Sequence, residues 1–410
     1  NLVKMRRFHI ISLCIMLSLG GTSPFAAYAA EDEENAAKYL NQAYDFYRVG
    51  QYFKSARYAF GAAERDPELA PEAYSWITLG LAGANLYNSA SYFFIKTLQS
   101  GDKKAIRRVL TKTQDILMSV GPDLLRKYLI RHTSFDDYDG NNKSAYLFAL
   151  AKEALLVRDF EKAIGYVNAI STQSAVWPYG LMLRGTAHAF LGKGDYAVHD
   201  FESCADRSKD ILRGVASTSA RFSQMKREAD DLYSRCAAGM ARTYYEMGQF
   251  DQADQAYDLI AKASIVWPDI LFEQAWNAFA RQEYNRTLGR LVSYKSPALS
   301  FVFNTEADVL RAQSYLALCL YADANEVINE FNSKYTKIGE RTKAFVENNS
   351  DHLGAFFNEG KIALSGSLYS DNGMHRLMNR FIRGPYFSGL VASERALAQE
   401  LEAIRIFDSQ

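Results

Sequence analysis

The chain has 410 residues, with 47 basic and 47 acidic side chains. That balance gives no electrostatic case for nucleic acid or for an anionic membrane surface as partner. Of four cysteines, Cys14 lies in the N-terminal apolar run, and the three that remain, Cys204, Cys236 and Cys319, do not make a disulfide framework for a chain of this length. At the N-terminus Lys4, Arg6 and Arg7 precede an apolar run over 8–19; Gly20, Gly21 and Pro24 end it, and Ala27-Tyr28-Ala29 offers small residues where a signal peptidase reads. Residues 1–29 are therefore expected to be a secretory signal peptide cut after Ala29, with a periplasmic mature protein. The competing reading, a retained membrane anchor, needs about 20 apolar residues, more than the run supplies. No other long apolar stretch follows, so no stable membrane span is expected after cleavage. Removing 1–29 leaves 44 basic against 47 acidic residues.

From residue 36 onward one phrase recurs: a helix, a turn residue, an aromatic two or three places on, then alanine, then an apolar residue four later. The first repeat runs over 36–67, with Tyr39, Ala43 and Phe46 on one helix, Gly50 at the turn, and Tyr52, Ala56, Phe60 and Ala63 on the next. A second starts at Pro71 and turns at Asn85. Residues 101–143 read as helical (Ile106, Leu110, Ile116, Leu117, Leu124, Leu125, Tyr128, Leu129) but lack the alanines. The pattern resumes over 144–170, where Arg158 stands at the turn. Another repeat opens at Trp177-Pro178, and a charged, serine-bearing insertion at 205–230 follows, either a longer helix or a protruding loop. The fullest copy spans 234–266: Ala237, Ala241, Tyr244, Gly248, Phe250, Ala253, Tyr257, Ile260. The next opens at Trp267-Pro268, with Thr287 in place of alanine after Tyr284, and the last holds Ala312, Tyr315, Cys319, Tyr321, Ala324 and Ile328. Apolar residues spaced three and four apart give each helix one buried stripe. Ser174-Ala175-Val176-Trp177-Pro178 and Ser264-Ile265-Val266-Trp267-Pro268 are near-copies at equivalent junctions. Prolines 67, 71, 178, 268 and 297 fall between repeats, where the first residue of a helix tolerates them.

These spacings resemble the tetratricopeptide repeat family over about six or seven repeats in 36–335. The resemblance implies an all-α, right-handed superhelical solenoid of stacked antiparallel helix pairs that binds protein partners and carries no cofactor. The stretch 234–335, with its Trp267-Pro268 junction, Ala275-Trp276 and the run 316–321, is also similar to exported repeat proteins of predatory and gliding deltaproteobacteria. Some of those are parts of envelope motility machines. The expected organisation is a signal peptide at 1–29, a repeat array at 30–335 and a helical C-terminal cap at 336–410, because an array otherwise ends on an apolar face.

No catalytic or metal constellation stands out. His132, His188, His199, His352 and His375 lack zinc spacing, and His188 reads as a structural histidine. Asp136, Asp137, Asp139 and Gly140 hint at a calcium loop, but Phe135 and Tyr146 occupy ligand positions, so a polar loop is the better reading. Cys204 and Cys236 either bridge the insertion or, the reading preferred, are small buried apolar residues. An enzyme acting on the cell wall from 101–143 or 336–410, through residues such as Asp351, His352, Glu359 and His375, is the alternative to a non-enzymatic scaffold. In a stack of hairpins the first helix of each pair lines a groove. Its non-core positions would be Lys152, Arg242, Tyr245, Phe272, Trp276, Phe279, Gln313 and Leu316. Phe272, Trp276 and Phe279 share a stripe that either anchors a partner or packs on the neighbouring helix, the latter being slightly favoured.

Overall fold

The computed structural model describes residues 36–212, 217, 222–299, 302–365, 373–382 and 384–409. The expected signal peptide, 1–29, lies outside the described residues, as does part of the insertion at 205–230. The described residues form helices, short 3-10 turns and connecting loops, with no strand among them. Two compact units arise: one holds residues up to 149 and from 392 on, the other residues 150–391.

Among the described residues one turn is used seven times. It joins α1 (Ala36–Arg48) to α2 (Tyr52–Arg65), α3 (Ala70–Gly83) to α4 (Tyr87–Ser100), and α8 (Gly140–Leu156) to α9 (Phe160–Asn168). It also joins α10 (Trp177–Phe190) to α11 (Gly194–Arg207), α12 (Phe222–Glu246) to α13 (Phe250–Asp258), α14 (Trp267–Ala280) to α15 (Tyr284–Val292), and α16 (Thr305–Ala317) to α17 (Tyr321–Asn348). Each link has three residues, and the middle one is left-handed: Gly50, Asn85, Arg158, Gly192, Gly248, Gln282 and Cys319. The amide after it reaches back five residues, as Gln249 N to Tyr244 O at 2.9 Å and Glu283 N to Ala278 O at 2.9 Å. The left-handed residue itself reaches back three, as Gly248 N to Tyr245 O at 2.9 Å. These paired bonds satisfy carbonyls that a helix end leaves open, which is the Schellman arrangement. A link this short leaves the two helices only an antiparallel packing.

The small residues stand where paired helices cross. Seven places before the left-handed residue and five after it lie Ala43 and Ser55, Thr78 and Ala90, Ala151 and Ala163, Gly185 and Ala197, Ala241 and Ala253, Ala275 and Thr287, and Ala312 and Ala324. All fourteen are buried. Thr287, the departure from the alanine pattern, fits because its hydroxyl donates to Ala275 O at 3.3 Å; Ser55 does the same to Ala43 O at 2.7 Å. At the third hydroxyl position Thr78 donates instead to Tyr74 O of its own helix at 2.8 Å, so each buried hydroxyl at a crossing has an acceptor.

In the first unit, Gly80 brings α3 against the backbone of α2: a Cβ there would lie 2.6 Å from Tyr52 O. The stretch 101–143 forms three short helices, α5 (Lys103–Leu110), α6 (Thr113–Val120) and α7 (Pro122–His132). Ile106, Leu110, Ile116, Leu117, Leu125 and Leu129 are buried, so large aliphatics fill this core without an alanine seam. Asp137 accepts from the Ser134 amide at 2.8 Å and hydroxyl at 2.9 Å, which employs it as a cap rather than as a ligand.

In the second unit, α12 begins at Phe222, so the charged insertion is partly helix. Cys204 on α11 and Cys236 on α12 form a disulfide with Cα atoms 6.0 Å apart. This corrects the expectation of two unpaired buried thiols. Both residues are fully buried, as expected, and the crossing of α11 and α12 brings their sulfurs together. The two Trp-Pro junctions adopt one conformation: Trp177 N bonds to Ser174 O at 3.0 Å and Trp267 N to Ser264 O at 3.1 Å, with proline in the first turn of each helix. His188 Nδ1 sits 2.8 Å from Asp200, whose other oxygen takes Arg184 at 2.6 Å and 3.0 Å. It is a bonded structural histidine.

The C-terminal region holds α18 (Leu353–Ser365), α19 (Gly373–Ile382) and α20 (Pro385–Ser409). Helices α18 and α19 pack beside α17, Phe345 joining Ala363 and Met378 in one cluster. Residues 392–409 of α20 instead belong with the first unit.

A groove on the second unit as candidate functional site

The faces of α10 and α12, with the start of α14, enclose an open groove of about 980 Å³. Its position follows from helix periodicity: Arg235, Gly239, Arg242 and Glu246 recur every three or four residues on α12 and share one stripe. Met182, Thr186 and Phe190 do the same on α10, and Ile265, Val266 and Asp269 come from the second Trp-Pro junction. Gly239 deepens the floor. It has no side chain because Phe201 of α11 fills that space, its ring 2.5 Å from where a Cβ would stand. Arg380 and Gly384 complete the rim.

The charges divide into held and free. Arg242 grips Glu273 of α14 with two nitrogens, at 2.6 Å and 2.9 Å. Burial opposes its charge, yet the Glu273 hydrogen bond and carboxylate prevail and push the guanidinium's pKa upward. Behind them Tyr257 is buried, and burial, then the Glu273 charge, raises its hydroxyl pKa. Arg235 bonds Asp231 at 3.0 Å. Arg380 and Glu246 are exposed and form no ion pair with a described residue. Phe190 is 66 % exposed although its ring stacks on Phe160 at 5.0 Å, and it presents an apolar edge at the mouth. A face with apolar side chains, fixed charges and few mobile groups binds a chain segment without a large ordering cost.

Of the eight residues nominated from sequence, Arg242 lines this groove. Tyr245 turns to Phe250, ring centroids 5.7 Å apart. Phe272, Trp276 and Phe279 form an edge-to-face series, at 6.3 Å and 5.5 Å, packed on Ala275, Leu291, Ala307 and Leu310. Trp276 is half-buried within that series. Gln313 and Leu316 are exposed on α16, and Lys152 is half-buried on α8. Sequence reasoning missed Arg235, Glu246, Phe190, Met247 and Ile265. The recoverable signal was the spacing 235, 239, 242, 246 on one helix face, which by itself does not tell an open stripe from a packed one. A second charged cluster, Asp254 with Arg281, Arg286 and Arg290 at 3.5 Å, 3.2 Å and 3.3 Å, ties α13 to the α14–α15 pair and lies outside the groove lining. Burial lowers the Arg290 pKa there.

Among the residues of the alternative enzyme reading, Asp351 and His352 are exposed, and the side chain of His375 lies outside the described residues. No group of three His, Cys, Asp or Glu able to hold a metal occurs among the described residues.

No family model and no curated protein matches the chain. Solved structures do. A tetratricopeptide repeat protein from Parabacteroides merdae is 15 % identical, with 73 % of this chain and 92 % of that one covered and a TM-score of 0.31. The apo form of RapI is 10 % identical, covering 89 % and 98 %, with a TM-score of 0.39. The P58(IPK) TPR domain is 13 % identical, covering 90 % and 99 %, with a TM-score of 0.24. Tetratricopeptide-repeat proteins are thus among the structural neighbours of this all-α chain. The repeat itself is established by its own seven turns and seven crossings.

Proposed function

We propose that this chain is a non-enzymatic protein–protein interaction scaffold of the periplasm, a component of an envelope-associated assembly such as gliding, flagellar or pilus machinery. The observation that carries the scaffold reading is the groove of α10, α12 and α14: a preformed concave face of about 980 Å³ with anchored arginines and an exposed aromatic edge. Two features support export. Residues 1–29 have the composition of a signal peptide, and the Cys204–Cys236 bridge belongs to an oxidising compartment. The envelope role rests on the likeness of 234–335 to exported motility components.

A tagged chain produced in its native host tests this. The mature protein should begin at Ala30, with one disulfide by intact mass, and should co-purify with envelope proteins. Arg242→Glu, which places like charge against Glu273 at the groove wall, should reduce that recovery at least tenfold while far-ultraviolet circular dichroism stays unchanged. Equal recovery by the variant would exclude the groove, and a cytoplasmic, reduced protein would exclude the periplasmic assignment.

A further inference from the structure

Helix α4 starts without a cap of its own. Its N-cap residue is Leu86, which has no side-chain acceptor, and no side chain there receives an amide. The acceptor comes from the far end of the chain. Glu400 of α20 takes the Asn88 amide at 2.8 Å and side-chain nitrogen at 3.2 Å through one oxygen, and the Ser89 amide at 2.8 Å and hydroxyl at 2.6 Å through the other. A carboxylate with four donors at a helix N-terminus is well placed electrostatically. Glu400 is accordingly only 7 % exposed.

Seven residues later Phe407 stacks on Phe53 at the start of α2, centroids 5.0 Å apart and planes 20° from parallel. Helices α2 and α4 are neighbours, since Phe60 and Phe93 meet at 6.5 Å. Two helical turns span about 10.5 Å, and packed helices lie about 8–10 Å apart. One straight helix thus places a carboxylate on the end of α4 and a ring on the end of α2. Over 392–407 Glu400 is the single buried side chain; Leu397, Leu401 and Ile404 of the same helix are half-buried, and Ile406 and Phe407 remain 53 % and 38 % exposed. A segment with few fully buried side chains opens at lower free-energy cost than a core helix.

We propose that the N-terminal ends of α2 and α4 form a receptor for helices carrying a carboxylate and, seven residues on, an aromatic ring. Helix α20 is its occupant in the free chain, and a partner protein's helix with the same pair displaces it. This site belongs to the first unit and stands independently of the groove on the second.

The probe is a fluorescent peptide of residues 392–410, titrated against the full chain. The Glu400→Ala/Phe407→Ala chain, whose own helix no longer fits, should bind it at least tenfold more tightly than the wild-type chain. A peptide with Glu400→Gln should lose at least tenfold. Should the double variant fail to fold by circular dichroism, the Glu400→Gln chain serves in its place, with tighter binding than wild type again expected. Equal binding to both chains, no binding to either, or indifference to the peptide's glutamate overturns the proposal. A wild-type chain that dimerises reversibly, and loses this on Phe407→Ala, would assign the face to a second copy and overturn the assignment to a partner.

Discussion

At the scale of single residues the packing depends on where a β-carbon is absent. Gly239 and Gly289 are both helical, yet their surroundings differ. A Cβ at 239 would press on the Phe201 ring at 2.5 Å, 2.7 Å and 2.7 Å, whereas at 289 nothing lies within 4 Å. Phe201 is 5 % exposed and also lies against Gly185, where a Cβ would meet its ring at 3.1 Å, so it has little room to move. Gly239→Ala should therefore destabilise the chain by about 1–3 kcal/mol through overpacking. Gly289→Ala should stabilise it by roughly 0.5–1 kcal/mol, since alanine restricts the unfolded chain and favours the helix. Chemical denaturation of the two variants reads both signs in one experiment. Opposite signs are expected; two shifts in the same direction would contradict the packing described.

At the scale of elements the turn is the organising device. It demands a left-handed residue, which glycine adopts freely and an ordinary side chain adopts at a cost of about 1 kcal/mol. Three of the seven turns have glycine there and one has asparagine; Arg158, Gln282 and Cys319 occupy the rest. Gln282→Gly should raise stability by up to about 1 kcal/mol and Gly248→Ala should lower it by about the same amount. Denaturation midpoints measure this, and a destabilised Gln282→Gly chain would refute the turn assignment. The hairpins were legible because aromatic, turn and alanine positions recur at fixed offsets, and even Arg158 kept the register of 144–170. Boundaries were less legible. Helices α12 and α17 run to 25 and 28 residues, and the apolar stripes of their extra turns, Met225, Ala229 and Leu232 in the one and Phe331, Tyr335, Ile338 and Phe345 in the other, continue the helical period without the turn and alanine positions that mark a repeat. The pairing of Cys204 with Cys236 was not readable either, since a separation of 32 positions leaves their approach to the crossing of α11 and α12.

At the scale of the whole molecule, each unit carries a face suited to another chain: the groove of the second and the α2–α4 ends of the first. Sequence spacing nominated Arg242, which lines the groove, beside four aromatic side chains, Tyr245, Phe272, Trp276 and Phe279, that pack on neighbouring rings and helices. An aromatic stripe at helical spacing looks the same whether it fills a seam or an opening. The docking of Glu400 on α4 had no sequence signal at all, because its partners lie 311 and 312 residues away. The central claim, that the groove of α10, α12 and α14 is where a partner docks, is tested most directly by site-specific photo-crosslinking in the native host. A photoreactive residue at Phe190 or Ile265 should yield one shared covalent adduct, and the same residue at exposed Asp323 of α17 should yield none. Adducts from Asp323 alone, or none from either groove position, would contradict it.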